Sequence, residues 1–436
     1  MTIAPLLLCH ICSSWRTFAL SIPQLWEKIH LDLGNTKSTF FLFPGLLKDK
    51  VDLLEFWTSK AAHRHPSLHL SFNNQSGIWV TEDQDFVPFQ QLLSFPSILS
   101  ARLLDLNHLT HWNIDTLFNP INDSIPNREA YEFPNLETLA FRDGPINPLF
   151  PSGGGLMVFK RTPSLRRLAV ILFKFPLVSF DEFSFHWKNL THCIVACYQV
   201  YFPKWYEIIT SCVSLVYGAF LVDMHNFKRH ERTELPNLRQ LTVVCMGQIS
   251  ERIFLDLSFP SLTSLRLSIA SYSSPLKMQN LLVPIPSLVE FHLQSCIAVH
   301  DSSYPLSMFV PNLRIMVIDG FISYESISPL DDINNLLFSP WLTKGWLAGR
   351  ADRGRIEYII DPTLTTWKDL TWDRIRGYVA RHIASSPEYP FASVIIRDQS
   401  ETLWDWPIMT AYDLEHRWDE KMKFYERNLS VSSVKI

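Results

Sequence analysis

The stretch Phe259–Leu267 reads FPSLTSLRL, and its form, Pro-Asn/Ser-Leu-x-x-Leu-x-Leu, recurs along the chain. We call this form the leucine phrase. Clear copies begin at Phe133, Thr162, Leu235, Phe259, Ile285 and Val310, and degenerate copies begin at Trp187 and Cys212. The leucine after Asn or Ser recurs every 23 to 29 residues, at Leu136, Leu165, Leu190, Leu215, Leu238, Leu262, Leu288 and Leu313. A phrase that returns with one period identifies an internal repeat.

A period in the mid-twenties headed by this phrase is typical of the leucine-rich repeat, in which each unit supplies a short strand and a returning helix or turn. The last two leucines of a phrase are two residues apart, so both point to the same side of a strand. Because one unit cannot bury that side alone, the units must stack. The sequence therefore predicts a curved α/β solenoid with parallel strands on its concave face and the eight anchoring leucines buried.

Net charge, apolar runs and cysteine usage restrict the classes of partner and the compartment that the sequence predicts. The chain has 436 residues, of which 47% are hydrophobic, and a formal net charge of -4, which gives no electrostatic reason to expect nucleic acid or an anionic membrane. No apolar run is long enough to span a bilayer. Seven scattered cysteines do not form a disulfide framework, and the first residues lack the basic region and cleavage site of a signal peptide. We therefore expect a reducing compartment, the cytoplasm or the nucleus.

The first residues carry a second pattern. Apolar residues from 6 to 19 recur at helical spacing, Pro23 opens a second short helix, and Ile29 and Leu31 alternate with polar residues as in a strand. The passage PLLLCHICSSWRTFALSIPQLWEKIHLDL, which begins at Pro5, resembles the second half of the F-box in the large F-box families of mushroom-forming fungi. The residues that carry the resemblance are Leu7, Leu8, Cys12, Trp15, Arg16, Ala19, Pro23, Leu25 and Trp26.

In that family the F-box binds the Skp-type adaptor of a cullin-RING ubiquitin ligase, and leucine-rich repeats downstream choose the substrate. The resemblance implies adaptor contacts by Leu7, Ile11, Trp15 and Leu25. A plain cap over the first repeat is the alternative use of these residues. Because the family's motif opens with a Leu-Pro turn and a first helix, which would lie before Met1, we expect an N-terminally truncated F-box.

Three regions follow from these patterns. Residues 1–33 form a partial F-box-like segment, residues 50–330 the leucine-rich repeats, and residues 331–436 degenerate repeats with a C-terminal helical cap. In the last region, residues 355–360 and 392–396 have the pattern of buried strands. Residues 372–384 and 407–428 have helical spacing, and the second of these helices is the predicted cap.

Residues between and beside the leucines of each phrase should point away from the core. The polar and aromatic members of this set are Arg142, Arg167, His192, Tyr217, Gln240, Arg266, Glu290, His292 and Gln294. We predict that they form the binding surface for a protein target whose identity the sequence leaves unknown. Three arginines favour an acidic segment, because guanidinium groups pair with carboxylates in a bidentate manner. The alternative is an ordinary solvated strand face.

Patterns for catalysis and metal binding are missing from the sequence. It contains no G-x-G-x-x-G, P-loop, H-E-x-x-H or G-x-S-x-G motif. Cys9 with Cys12 and Cys193 with Cys197 are short-spaced pairs, but each lacks the second pair that a zinc site needs. We expect no metal, no cofactor and no enzymatic activity. The first hypothesis is therefore a substrate receptor of a ubiquitin ligase, and the second is a stand-alone repeat scaffold that binds a protein without a role in ubiquitin transfer.

Overall fold

The computed structural model describes residues 9, 11–32, 45–61, 64–71, 96–109, 132–143, 161–176, 185–198, 200–224, 231–248, 253–271, 281–295, 309–313, 315–321, 355–361, 393–396, 410–418 and 432–435. The chain forms two compact units. The first comprises Met1–Gln199 with Met409–Trp418, and the second comprises Val200–Ile408 with Asp419–Ile436. Within each unit, parallel strands from successive repeats lie side by side. The predicted parallel-strand solenoid of repeats is confirmed at this level.

All eight leucine phrases begin with the same tight turn. The amide of the anchoring leucine donates a hydrogen bond to the carbonyl three residues earlier, as from Leu165 to Thr162 at 3.1 Å and from Leu288 to Ile285 at 3.3 Å. Proline suits the second position of such a turn because its φ is already fixed near the required value. The strand starts two residues after the leucine. Each anchoring leucine is at most 2% exposed, so the predicted burial of all eight is confirmed.

The first unit contains a sheet of six parallel strands in chain order. They are β1 Lys28–Asp32, β2 Ser67–Ser71, β3 Leu103–Leu109, β4 Thr138–Asp143, β5 Arg167–Pro176 and β6 His192–Tyr198. The sequence predicted repeats from residue 50 onwards, but β1 already pairs with β2, with Ile29 opposite Leu68 and Leu31 opposite Leu70. Ile29 and Leu31 are buried. The sheet therefore starts inside the F-box-like segment.

The described helices are few and mostly short. They are α1 Ser13–Ser21, α2 Gly45–Lys60, α3 Pro96–Leu99, α4 Phe202–Ser211 and α5 Ala411–His416, with 3-10 helices at Pro23–Trp26 and Trp187–Asn189. The short helix predicted at Pro23 is confirmed. The first predicted helix is interrupted: Cys9 and Ile11 are helical, Cys12 is extended, and α1 begins at Ser13.

The second unit continues the repeat with one main sheet, in the order β7, β9, β11, β12, β13, β14, β15 and β16. Its strands are β7 Tyr217–Asp223, β8 Thr233–Glu234, β9 Gln240–Gln248, β10 Leu257–Ser258, β11 Ser264–Ser271, β12 Glu290–Ser295, β13 Ile315–Phe321, β14 Arg355–Asp361, β15 Ser393–Ile396 and β16 Ser432–Lys435. The short strands β8 and β10 form a separate parallel pair, and β16 runs antiparallel to β15. The strands predicted at 355–360 and 392–396 are confirmed, whereas the helix predicted at 372–384 lies outside the described residues.

The Asn or Ser of the leucine phrase connects neighbouring repeats. Asn189 donates its side-chain amide to the carbonyl of Pro163, and Asn237 donates to the carbonyl of Val213, each at 3.1 Å. Ser287 donates to the carbonyl of Leu262 at 2.9 Å. These bonds satisfy carbonyl groups in the turns, which the strand ladder does not reach. The phrase therefore carries both the core leucines and the link between repeats.

Gly218 explains one degenerate phrase. It occupies the position of the second phrase leucine, and an added Cβ would lie 2.8 Å from the ring of Phe220. The fully buried Phe220 ring also packs edge-on against Trp205 of α4, with ring centroids 6.3 Å apart. The phrase is degenerate here because aromatic side chains fill the space that leucine fills elsewhere.

The C-terminal helical cap is where the structure departs most from the sequence prediction. Of residues 407–428, the structure describes α5 and its flanking residues up to Trp418. Helix α5 does not cover an end of the strand stack. It contacts β3, β4 and β5, in the interior of the first unit's sheet. The reason is a set of polar contacts that hydrophobic periodicity does not encode.

Candidate interaction face and the segment that covers it

The strands of the first unit expose a polar side opposite the leucine core. Strand register places Ser67, Leu103, Thr138, Arg167 and His192 in one row on this side, and His69 with Asp105 in the next row. Alternation along each strand sends Leu68, Leu104, Leu139 and Leu168 to the other side, where they are buried. We call this side of β1–β6 the polar strand face.

Residues Thr410–Trp418 lie across the polar strand face, and we call them the resident segment. Its Glu415 carboxylate accepts two hydrogen bonds from Arg102, at 2.7 and 3.2 Å, and one from the Thr138 hydroxyl at 2.7 Å. The Arg167 guanidinium lies 3.7 Å away. The Glu415 side chain is 4% exposed. Three consecutive repeats thus converge on one carboxylate.

The charge state of Glu415 follows from these contacts. Burial opposes the charged form, but the hydrogen bonds from Arg102 and Thr138 and the charges of both arginines outweigh it. The pKa of Glu415 is lowered below its ordinary value as a result. The carboxylate is therefore ionised at neutral pH, and a bidentate guanidinium contact of this kind is among the stronger polar interactions in proteins.

A second buried cluster surrounds Asp105. Arg142 donates to both carboxylate oxygens, at 2.9 and 3.1 Å, and His69 lies 3.2 Å from one of them. The backbone amide of Ala411 donates to the same carboxylate at 3.4 Å, which places the start of α5. Burial would raise the pKa of Asp105, but the hydrogen bond from His69 and the charge of Arg142 lower it. His69 also stacks on His30 with ring centroids 4.1 Å apart.

Aromatic contacts hold the two ends of the resident segment. Trp418 is 5% exposed and packs edge-on against His192 of β6, with ring centroids 5.3 Å apart. Near the other end, the Lys28 ammonium lies 5.5 Å from the centre of the Tyr412 ring. The segment therefore crosses the sheet from β1 to β6.

Strand register places the sequence-predicted target residues of each unit in a few common rows of its sheet. In the first unit Arg142 is buried and paired with Asp105, Arg167 is close to Glu415, and His192 contacts Trp418. In the second unit Tyr217, Gln240 and Glu290 occupy one row. Arg266 and His292 are opposite each other in the next row, and Gln294 is opposite Ser268. His292 is only 4% exposed.

The sequence-predicted adaptor residues that the structure describes are exposed or only partly buried. Ile11 is 61% exposed and Trp15 is 45% exposed, and Phe18, which packs edge-on against Trp15, is 54% exposed. Leu25 is partly buried and Leu7 lies outside the described residues. Trp26, by contrast, is buried and donates its ring N–H to the carbonyl of Ala19 at 2.9 Å. Helix α1 is thus fixed by its Ala19 side and leaves an apolar side uncovered.

Sequence reasoning missed Arg102, Asp105, Thr138, Glu415 and Trp418. Thr138 could have been found, because the aligned phrases place it at the position of Arg167 and His192. Asp105 falls between two inward leucines of β3, so the same alternation reaches it. Glu415 and Trp418 carry no periodic signal that ties them to strands more than 220 residues earlier.

The pH dependence of stability should report on the His192 contact. Burial, with a smaller contribution from the Arg167 charge, lowers the pKa of His192 from 6.5 to about 4. Between these values the unfolded chain binds a proton that the folded chain does not, so stability falls as the pH drops from about 7 towards 4. We expect His192→Phe, which keeps an aromatic ring against Trp418, to reduce the loss between pH 7 and pH 5 by about 1–2 kcal/mol. Urea unfolding at both pH values measures this, and an unchanged pH slope would contradict it.

The part of the chain that the structure describes contains no cluster of three or more His, Cys, Asp or Glu side chains arranged for a metal ion. Cys193 and Cys197 are both buried within β6, and Cys12 is exposed. No helix among the described residues is long and apolar enough to cross a membrane.

The described geometry is thus a strand face with arginine, threonine, histidine and aspartate side chains from consecutive repeats, covered by the resident segment. Comparison of the chain with models of protein families finds no match. Comparison with curated proteins finds none either.

Proposed function

We propose that this protein is a substrate receptor of a Skp-cullin-F-box type ubiquitin ligase, with a leucine-rich-repeat solenoid that holds the target. The observation that supports it best is the uncovered apolar side of α1. Trp15 and Phe18 lie three residues apart on α1, and Ile11 lies just before its extended N-cap residue Cys12. All three remain about half exposed, although large apolar side chains normally lie inside. In the F-box resemblance, Trp15 is among the residues that carry the match.

The packing around α1 supports an outward role for Trp15. The buried Trp26 and Ala19 already provide the contact that joins α1 to the following 3-10 helix, through the bond from the Trp26 ring N–H. A plain cap over the first repeat would bury its large apolar residues against β1 and β2. Tryptophan is also a residue type that dominates the energy of protein interfaces. An adaptor that presents an apolar groove is the partner this side fits.

Adaptor pull-down with a triple variant tests the proposal. We expect Ile11→Ala, Trp15→Ala and Phe18→Ala together to reduce recovery of a Skp-type adaptor by about tenfold or more, because an interface tryptophan alone contributes roughly 2 kcal/mol. The matched control replaces three exposed apolar residues of the second unit, Val213, Leu255 and Val283, by Ala. The control should recover as much adaptor as the unchanged protein.

Two outcomes would count against the ligase role. If the unchanged protein recovers no adaptor, the stand-alone scaffold becomes the better hypothesis. If the α1 variant and the control behave alike, the adaptor does not bind through α1. Circular dichroism of both variants shows whether the fold is intact.

A further inference from the structure

The Glu415 site has the composition of a recognition site for a carboxylate. Its donors come from the residue before β3, from β4 and from β5, so the stacking of repeats sets their spacing. The acceptor comes from a segment that is 277 to 313 residues later in the sequence than Thr138 and Arg102. A bidentate arginine contact reads the planar geometry of a carboxylate as well as its charge. An amide or a hydroxyl in that place would leave donors unsatisfied.

The resident segment organises its own helical turn. The Thr410 hydroxyl accepts from the Asp413 amide at 3.0 Å, and the Asp413 carboxylate accepts from the Thr410 amide at 3.0 Å. This capping box satisfies the Thr410 and Asp413 amides within the segment, whereas the Ala411 amide donates to Asp105 of β3. The segment contacts the face through Glu415, Trp418, Tyr412 and the Ala411 amide. A separate peptide with the same few groups could make the same contacts.

We propose that the polar strand face is the target-binding site of this protein, that it recognises a short acidic helix, and that the resident segment occupies it as an internal competitor. The target helix brings a glutamate into the Arg102, Thr138 and Arg167 site and an aromatic side chain three residues later against His192. This inference deepens the proposed function, on which its reference to a target rests. The binding site itself does not depend on the adaptor.

Competition follows from the covalent link. A tethered segment acts at an effective concentration that is commonly millimolar for a short flexible linker and falls as the linker lengthens. A target helix must therefore bind better than the resident segment, or present more contacts, to displace it. Loss of Glu415 and Trp418 weakens the competitor, which keeps the Tyr412 and Ala411 contacts, and leaves every donor of the face in place.

A peptide-binding experiment with the full chain tests the proposal. The probe is a fluorescent peptide of residues 408–420, IMTAYDLEHRWDE, with fluorescence anisotropy as the readout. We expect the Glu415→Gln/Trp418→Ala protein, called the vacated protein below, to bind the peptide at least about tenfold more tightly than the unchanged protein does, because its resident segment competes less for the face. A peptide with Gln in place of the glutamate should bind about tenfold more weakly, since it loses the charge-assisted bonds.

Two control proteins make the result specific. Glu207→Gln/Leu255→Ala changes a matched pair of exposed residues in the second unit and should bind the peptide no better than the unchanged protein. Adding Arg102→Ala to the vacated protein should abolish its gain in affinity for the peptide. The proposal is overturned if the folded, vacated protein binds no more tightly than the unchanged one, or if Arg102→Ala has no effect.

If the double variant fails to fold, Glu415→Gln alone decides the matter, because it keeps the shape of the side chain. Hydrogen exchange of β4 amides in that protein should slow when excess peptide is added, and no change would overturn the proposal. Adaptor recovery measured in parallel should be equal for the unchanged and the vacated proteins. If the peptide assay fails while adaptor recovery is normal, the internal-competitor proposal is refuted and the ligase role stands. If the peptide assay succeeds while no adaptor is recovered, only the ligase role is refuted.

Discussion

Leu262→Ala is expected to lower the free energy of unfolding by about 3 kcal/mol. Leu262 is fully buried, and its phrase leads into β11, which pairs with β9 on one side and with β12 on the other. Truncation removes apolar contacts and leaves a cavity that the regular turn at Phe259–Leu262 cannot close without losing its hydrogen bond. Because each repeat is stabilised by its neighbours, the amides of β9 and β12 should also lose protection.

Chemical denaturation combined with hydrogen exchange measures both effects. The matched control is Leu255→Ala, in which the same side chain is 42% exposed, and we expect its effect to stay within about 0.5 kcal/mol. Similar effects of the two substitutions would refute the assignment of the anchoring leucines to the core. A loss of protection confined to β11 would instead show that the repeats are stabilised independently.

The repeat architecture was predictable because the short sequence of each repeat determines its own turn and strand. Each phrase states its own turn, through proline, and its own buried side, through leucines two residues apart, so the period alone gives the stacking. The strand β1 was assigned to the F-box-like segment, since its Ile29 and Leu31 have no Pro-Asn-Leu before them. Only the register with β2 places them in the sheet. The sequence pattern therefore predicts well the turn, the strand and the buried leucines that all repeats share.

The sequence predicted the strand residues of the candidate site but not the segment that contacts them. Alternation along the strands brought Arg142, Arg167 and His192 to a common side, and the arginines indicated a carboxylate as the ligand. The carboxylate that the structure places there belongs to Glu415, and no sequence pattern connects it with Arg102. The helical spacing of residues 407–428 predicted a cap because apolar periodicity records which residues are buried, but not which strands bury them.

The charge arrangement gives this face a specific chemical character. Asp105 neutralises Arg142 inside the face, whereas Arg102 is paired with both Glu137 and Glu415, and Arg167 lies near Glu415 of the resident segment. Without Glu415 the face would keep the Asp105 cluster intact and present two arginines and a threonine hydroxyl. That combination attracts a carboxylate and rejects a lysine or arginine side chain. The buried Asp105 cluster thereby supports the start of α5 beside the Glu415 site.

Asp105→Ala is expected to destabilise the first unit by about 3–5 kcal/mol. The Asp105 side chain is 3% exposed and the Arg142 side chain is 10% exposed, so the substitution leaves a buried guanidinium without its carboxylate. It also removes the acceptor for His69 and for the Ala411 amide, which should loosen the start of α5. Denaturant unfolding gives the free energy, and hydrogen exchange of the Ala411 amide reports on α5.

A second substitution separates the charge effect from simple loss of contact. Asp105→Ala combined with Arg142→Met removes both charges and should recover most of the lost stability, because a buried ion pair can often be replaced by apolar side chains of similar size at little cost. The matched control is Glu132→Ala, which breaks the exposed ion pair with Arg161 and should change stability by less than about 1 kcal/mol. If the double variant is as unstable as Asp105→Ala, the cost does not come from the unpaired Arg142 charge, and hydrogen bonds from His69 and Ala411 must account for it.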